Sequence, residues 1–217
     1  GILAKEGKKI SSLPAHDENE IEGINTRCDL AKVNAVLNTR KLNELMSRGV
    51  TIMDSATVFI NPGAKIGKDT LIYPFTFIER DVVIGRNCFI GPFCRLRPGT
   101  VIENNVAVGN FAELNRAHVK NYACIKHQSY LGDTTVGEKT NIGAGTIVAN
   151  WDGKKKHRTL IGDNVLVGSG SIFVAPVKVG RKAVTGAGTV ITKKNNIPAG
   201  ATVVGVPAHI LRRKNEK

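Results

Sequence analysis

From Ile60 onward the chain repeats every six residues. Ile60, Ile66, Ile72, Ile78, Ile84, Ile90, Leu96, Ile102, Val108 and Leu114 form an unbroken aliphatic series. Two residues before each lies a small or β-branched partner: Val58, Ala64, Thr70, Thr76, Val82, Cys88, Cys94, Thr100, Val106 and Ala112. After one-residue slips near Val119 and Val136 the pattern resumes at Ile142 and Val148, then runs through Ile161, Val167, Phe173, Val179, Thr185 and Ile191. Both series are expected to point inward. Short β-branched units punctuated by Gly, Pro, Asn and Asp read as brief strands joined by tight turns, and a fixed period marks a repeat architecture. A helical period does not account for the spacing, nor does the turn interval of a sandwich.

This pattern resembles the hexapeptide-repeat family, whose chains wind three hexads per coil into a triangular prism. The resemblance implies a mainly β fold, a left-handed parallel β-helix over residues 50–205, in which each coil buries its aliphatics against its neighbours and the ends need caps. Cys88 and Cys94 then serve as small core fillers.

Ahead of the coils, Leu30, Val33, Leu37, Leu42 and Leu45 recur at mostly helical spacing, Thr26 with Asp29 has the form of a capping box, and Gly49 can end a helix. One amphipathic α-helix is predicted over 28–49. Residues 1–24 are polar and irregular, and the basic tail 206–217 is expected to be helical or frayed. One segment, Asn150–Arg158 (NWDGKKKHR), has no hexad phase and packs four positive charges into its last five residues. It is expected to project as a loop.

A formal charge of +13, from 31 basic and 18 acidic side chains among 217 residues, points to anionic partners. Phosphorylated small molecules fit better than nucleic acid, because aromatic residues make up only 5% of the chain and no nucleic-acid-binding motif is recognisable. No window approaches the roughly 18 uninterrupted apolar residues of a membrane span, and the first residues lack the apolar stretch of a signal peptide, so a cytoplasmic chain is expected. The four cysteines show no disulfide framework or zinc-site spacing. The chain begins at Gly1 without an initiator methionine, as a fragment of a longer protein would.

Among five histidines, His127 alone lies within the coils beside a tyrosine, in KHQSYLGD, two residues after the inward Ile125. Imidazole suits removal of a proton from an amine near neutral pH. Here the resemblance sharpens. The strings EGINTR, RGVTIMD, IGPFCRLRPG, VGNFAEL, HQSYLGD, NIGAGT, NWDG, GDNVLVGSGSIFVAPVKVG and GAGTV, over roughly residues 21–192, are similar to the acetyltransferase half of the bifunctional N-acetylglucosamine-1-phosphate uridyltransferase/glucosamine-1-phosphate acetyltransferase family.

That resemblance implies transfer of an acetyl group from acetyl-CoA to the amine of glucosamine-1-phosphate, on the route to UDP-N-acetylglucosamine for cell-wall precursors. It makes His127 the general base and Glu113 the residue that orients or polarises it. Arg97, Tyr130 and Asn141 would hold the sugar phosphate and hydroxyls, and Asn150 and Lys156 would reach across a subunit boundary to sugar or carrier. Backbone near Ala144 would stabilise the oxyanion, Ser169 and Ala187 would line the CoA groove, and three chains would assemble as a homotrimer. EGINTR matches the junction to a uridyltransferase domain absent here, so residues 1–27 read as its remnant and Asn25 as the counterpart of a magnesium ligand of that domain.

Three departures stand out. Asn115 replaces a family lysine that contacts the sugar phosphate, leaving Arg116 as a substitute. Trp151 replaces a tyrosine, and Gly205 falls near a family arginine that contacts CoA, a role left to Arg212 or Arg213. Two other readings stay open: an acetyltransferase acting on another amino-sugar phosphate or nucleotide-linked amino sugar, and a catalytically inactive trimeric scaffold.

Overall fold

The computed structural model describes residues 1–211. Three parallel sheets run the length of a β-solenoid of about eight turns, preceded by the α-helix Arg27–Ser47. Face 1 has ten strands, face 2 eight and face 3 seven, and each strand pairs with the one three places further along the chain until the last strands of face 1, which pair at shorter steps. This is the geometry that the family resemblance implies. Ile60, Ile78, Leu96 and Leu114 stack on face 2 at intervals of 18 residues, three hexads per coil. Every residue of the two inward series from Val58 to Leu114 is buried except Ile66, which is half-buried on the first strand of face 3.

The inward threonines and serines are tolerated because their hydroxyls find backbone carbonyls. Thr70 donates to Gly85, Thr140 to Gly162, Thr146 to Gly143 and Ser171 to Gly168, at 2.7–2.9 Å. Cys88 and Cys94 are buried in the core, and burial pushes the Cys94 thiol up to about 12, so it stays a protonated filler.

The irregularities of the hexad pattern fall on one edge. Both slips shorten the corner between faces 2 and 3, where Leu114 pairs with Leu131 only 17 residues on. The Asn150–Arg158 insertion occupies the same corner and widens the next coil to 25 residues, Val148 to Phe173. The insertion is folded back on itself through a Trp151–Lys156 bridge. Its Asp152 carboxylate accepts the backbone N–H groups of Lys154 and Lys155 and pairs with His157 Nε2 at 2.6 Å. These bonds, that of Lys155 first, hold Asp152 far below the ordinary carboxylate range.

The helix begins at the expected capping box, with Thr26 and Asp29 bonded reciprocally. Its contact with the solenoid is shorter than its apolar pattern predicts. Leu42 and Leu45 are buried over the first coil, whereas Leu30 and Leu37 are 47% and 41% exposed, because only the C-terminal turns reach the coil. Asn38 secures the end: its amide donates to Val58 O and its Oδ1 accepts from Ile60 N, both at 2.9 Å, so one side chain occupies the open backbone edge of face 2. At the far end His209–Ile210 pairs antiparallel with Thr202–Val204. This corrects the expected helical or frayed start of the tail, since the last edge of face 1 offers unpaired backbone to the returning chain. No helix among the described residues is long and apolar enough to cross a membrane.

Candidate active site

The corner between faces 1 and 2 collects one residue from each coil, two places after the inward residue of face 1. From coil to coil these are Pro74, Pro92, Asn110, His127, Ala144, Ser169 and Ala187. Residues that the sequence spreads over 60 positions, His127, Ala144, Ser169 and Ala187, therefore form one vertical line. The following residue adopts positive φ in each coil: Phe75, Phe93, Phe111 and Gln128, then Gly145, Gly170 and Gly188.

His127 ends a strand, Cys124–His127, that pairs with Ala107–Asn110. These two strands have four residues where all others have two or three, so the ladder continues into the corner and sets Asn110 opposite His127. Gly109 permits this approach, since a Cβ there would lie 2.0 Å from Lys126 O. His127 is exposed, and its Nδ1 lies 2.9 Å from Asn110 Oδ1. The two residues border a groove lined also by Tyr73, Phe89, Pro92 and Lys126.

Just past His127 the backbone ladder of this corner is interrupted. Gln128 N donates to Asn110 O, Gly170 N to Ala144 O and Gly188 N to Ser169 O, but Gly145 N has no acceptor among the described residues. The carbonyl of His127 accepts instead from Ser129 Oγ at 2.8 Å. A free N–H beside an exposed imidazole is suited to a developing negative charge.

A second cluster lies on face 2 and the adjoining corner. Arg97 Nη1 donates to Glu113 Oε1 at 2.9 Å, and Arg97 Nε is buried with no hydrogen-bond partner among the described residues. Glu113 is paired in register with Tyr130. The Tyr130 hydroxyl and the Asn150 amide converge over Gly132, whose absent Cβ would lie 2.8 Å from the one and 2.5 Å from the other. Asp133 accepts from Asn150 and, through both oxygens, from Arg116 at 2.6 and 2.9 Å. Those Arg116 bonds hold the Asp133 carboxyl below the usual range. The buried Asn115 accepts from Arg116 Nη1 at 3.0 Å.

The expected site residues thus sort into two groups. His127 and the column above it share the first corner, with Asn141 on the adjoining strand of face 1. Arg97, Glu113, Tyr130 and Asn150 belong to face 2 and its far corner, where Lys156 sits in the folded insertion and adds to the field around Asp133. Glu113 is bonded to Arg97, and the polar partner of His127 is Asn110. Sequence reasoning missed Asn110, although it stands 17 residues before His127 within VGNF. Asn25 is exposed ahead of the helix, with its N–H on Asp29. Arg212 and Arg213 lie outside the described residues.

Residues 63–98 and 81–116 match the bacterial transferase hexapeptide family (six repeats), and residues 158–193 match the hexapeptide repeat of succinyl-transferase. The chain is 42% identical to the bifunctional protein GlmU of Thermosipho melanesiensis, over 90% of this chain and 50% of that one. It is 39% identical to GlmU of Thermotoga maritima, over 86% of this chain and 49% of that one. Among solved structures, Francisella novicida UDP-N-acetylglucosamine acyltransferase shares the fold at 17% identity, with a TM-score of 0.56, over 76% of this chain and 71% of that one. The chain spans about half the length of the GlmU relatives it matches. By repeat, fold and sequence alike, this chain belongs to the hexapeptide-repeat family and is homologous to the C-terminal half of bifunctional GlmU proteins.

Proposed function

We propose that the chain is an acetyltransferase that moves the acetyl group of acetyl-CoA to the amine of glucosamine-1-phosphate, a step toward UDP-N-acetylglucosamine in the cytoplasm. The observation that carries this reading is the corner column, which aligns an exposed histidine with Ala144, Ser169 and Ala187 on three glycine-flanked turns. A Cβ at Gly143 would lie 2.6 Å from Ser169 N, so the turns stack closely and leave a smooth, thin track for the carrier.

In the reaction His127 takes a proton from the amine as its nitrogen bonds to the thioester carbon. The oxyanion forms at the free Gly145 N–H, beside Ala144. The C–S bond then breaks, the carbonyl re-forms, and the leaving thiolate takes the proton from the imidazolium. Arg97, whose buried Nε has no partner among the described residues, suits the acceptor phosphate. Tyr130, Asn141, Asn150 and Lys156 complete the acceptor pocket. Because these contacts divide between the first corner and face 2, the site is completed by placing face 2 of one copy against the first corner of another, in a homotrimer. Residues 1–27 serve as a junction, 28–49 as a linking helix and 206–217 as a tail.

A second acceptor is favoured by one feature. At the Asn115 position the neutral amide is buried, and the neighbouring Arg116 is committed to Asp133. The test is CoA release with glucosamine-1-phosphate, galactosamine-1-phosphate and glucosamine-6-phosphate side by side. Preference for glucosamine-1-phosphate, with His127→Ala reduced about 10²–10⁴-fold in turnover, supports the reading. Activity on another acceptor alone replaces the substrate, and silence on all three leaves the scaffold.

A further inference from the structure

We infer that Asn110 is a positioning residue for His127, its side-chain oxygen accepting from Nδ1–H and so fixing the tautomer in which Nε2 carries the lone pair. The inference rests on the role proposed for His127. A histidine can accept a proton only through a nitrogen that lacks one, and the partner of one ring nitrogen decides which that is. If Asn110 instead donated to Nδ1, Nε2 would bear the hydrogen and could not act as a base. The 2.9 Å contact with Oδ1 selects the productive form.

The arrangement is built into the backbone. Asn110 and His127 are register partners on the two longest strands of the solenoid, brought together by Gly109. Gln128 N donates to Asn110 O and Ser129 Oγ to His127 O, so the main chain is tied on both sides of the contact. Asn110 is half-buried, which leaves the ring of His127 as the exposed member of the pair. A flexible surface asparagine would lose this contact to water; one held in a parallel ladder does not.

Two titratable side chains border the groove of this pair: Lys126, on the strand of His127, and Tyr73. Tyr130 and the Arg97-bonded Glu113 lie on the adjoining sheet. The coil above contributes the neutral Asn141 and Ala144.

The experiment compares Asn110→Ala, Asn110→Asp and His127→Ala by pH profile of acetyl transfer, with thermal unfolding as the folding control. It also records the ¹⁵N signals of histidine-labelled wild type. Asn110→Ala is expected to lower kcat about tenfold or more with KM for both substrates unchanged. Asn110→Asp places a carboxylate on Nδ1, favours the imidazolium, and moves the acid limb of kcat/KM to higher pH by about one unit or more. The wild-type neutral ring is expected to be protonated on Nδ1. A neutral ring protonated on Nε2, or an acid limb unmoved in Asn110→Asp, overturns the inference even where His127→Ala is inactive. Full activity in His127→Ala overturns the underlying base assignment instead.

Discussion

One corner of the solenoid is built in two ways. In the coils before His127 the positive-φ positions are aromatic: Phe75 stacks on Phe93 at 4.7 Å and Phe93 on Phe111 at 5.3 Å between ring centroids. In the coils after it the same positions are Gly145, Gly170 and Gly188. Backbone conformation barely changes, with φ of 53–57° for the three phenylalanines and 68–73° for the glycines. The fold therefore does not dictate side-chain size here. The aromatic half adds cross-coil stacking to a turn that the backbone already supports, whereas the glycine half gives up that contact and gains clearance. His127 and Gln128 stand at the changeover, where the backbone ladder is interrupted.

The strongest way to break the contrast is to extend the stack upward. Gly170→Phe is expected to fold, since three phenylalanines already hold that conformation, and to raise KM for acetyl-CoA by about tenfold or more as a ring fills the carrier track. Steady-state kinetics at saturating acceptor would check it, and an unchanged KM would remove the carrier from this corner. The opposite change is Phe93→Ala, which breaks both stacking contacts of an exposed ring and is expected to cost about 1–2 kcal/mol of stability. Denaturant unfolding measures the loss, and turnover per folded molecule should match wild type.

The smallest effect concerns the other corner, which serves as the reference. Asp133 is held below its ordinary carboxylate range by Arg116, so its contribution is present above the unfolded value near 4 and is lost as pH falls through the lower folded one. Wild type is expected to exceed Asp133→Asn in stability at neutral pH, and the gap should close below about pH 4. Unfolding midpoints from pH 3 to 7 would reveal a constant gap if the pair contributes nothing through charge.

How far the sequence foretold these regions depends on what a linear spacing can express. The hexads specified the inward residues almost completely, because a core position repeats whatever face it occupies. The two slips and the insertion were visible as interruptions, but their shared corner was not, since that depends on counting residues through whole coils. Asn110 escaped notice for a similar reason: beside a glycine, an asparagine reads as turn chemistry until the coil above supplies its histidine. Helical spacing in Leu30 and Leu37 promised a contact that is not made there, since only the last turns of the helix reach the first coil. The Arg97–Glu113 pair became visible only when 16 residues of chain closed one coil. The aromatic and glycine halves were both present in the text, yet their equivalence emerges only when the coils are superposed.

A column of equivalent rungs has no internal reason to stop growing. Each coil presents to the next the backbone edge that it received from the one before, and an uncovered edge would accept a coil from another molecule as readily. On face 2 that open-ended growth is closed by a single carboxamide. Asn38 reproduces the donor and acceptor of one missing peptide, so the helix that carries it acts as a terminator, converting a potential filament into a particle of defined length.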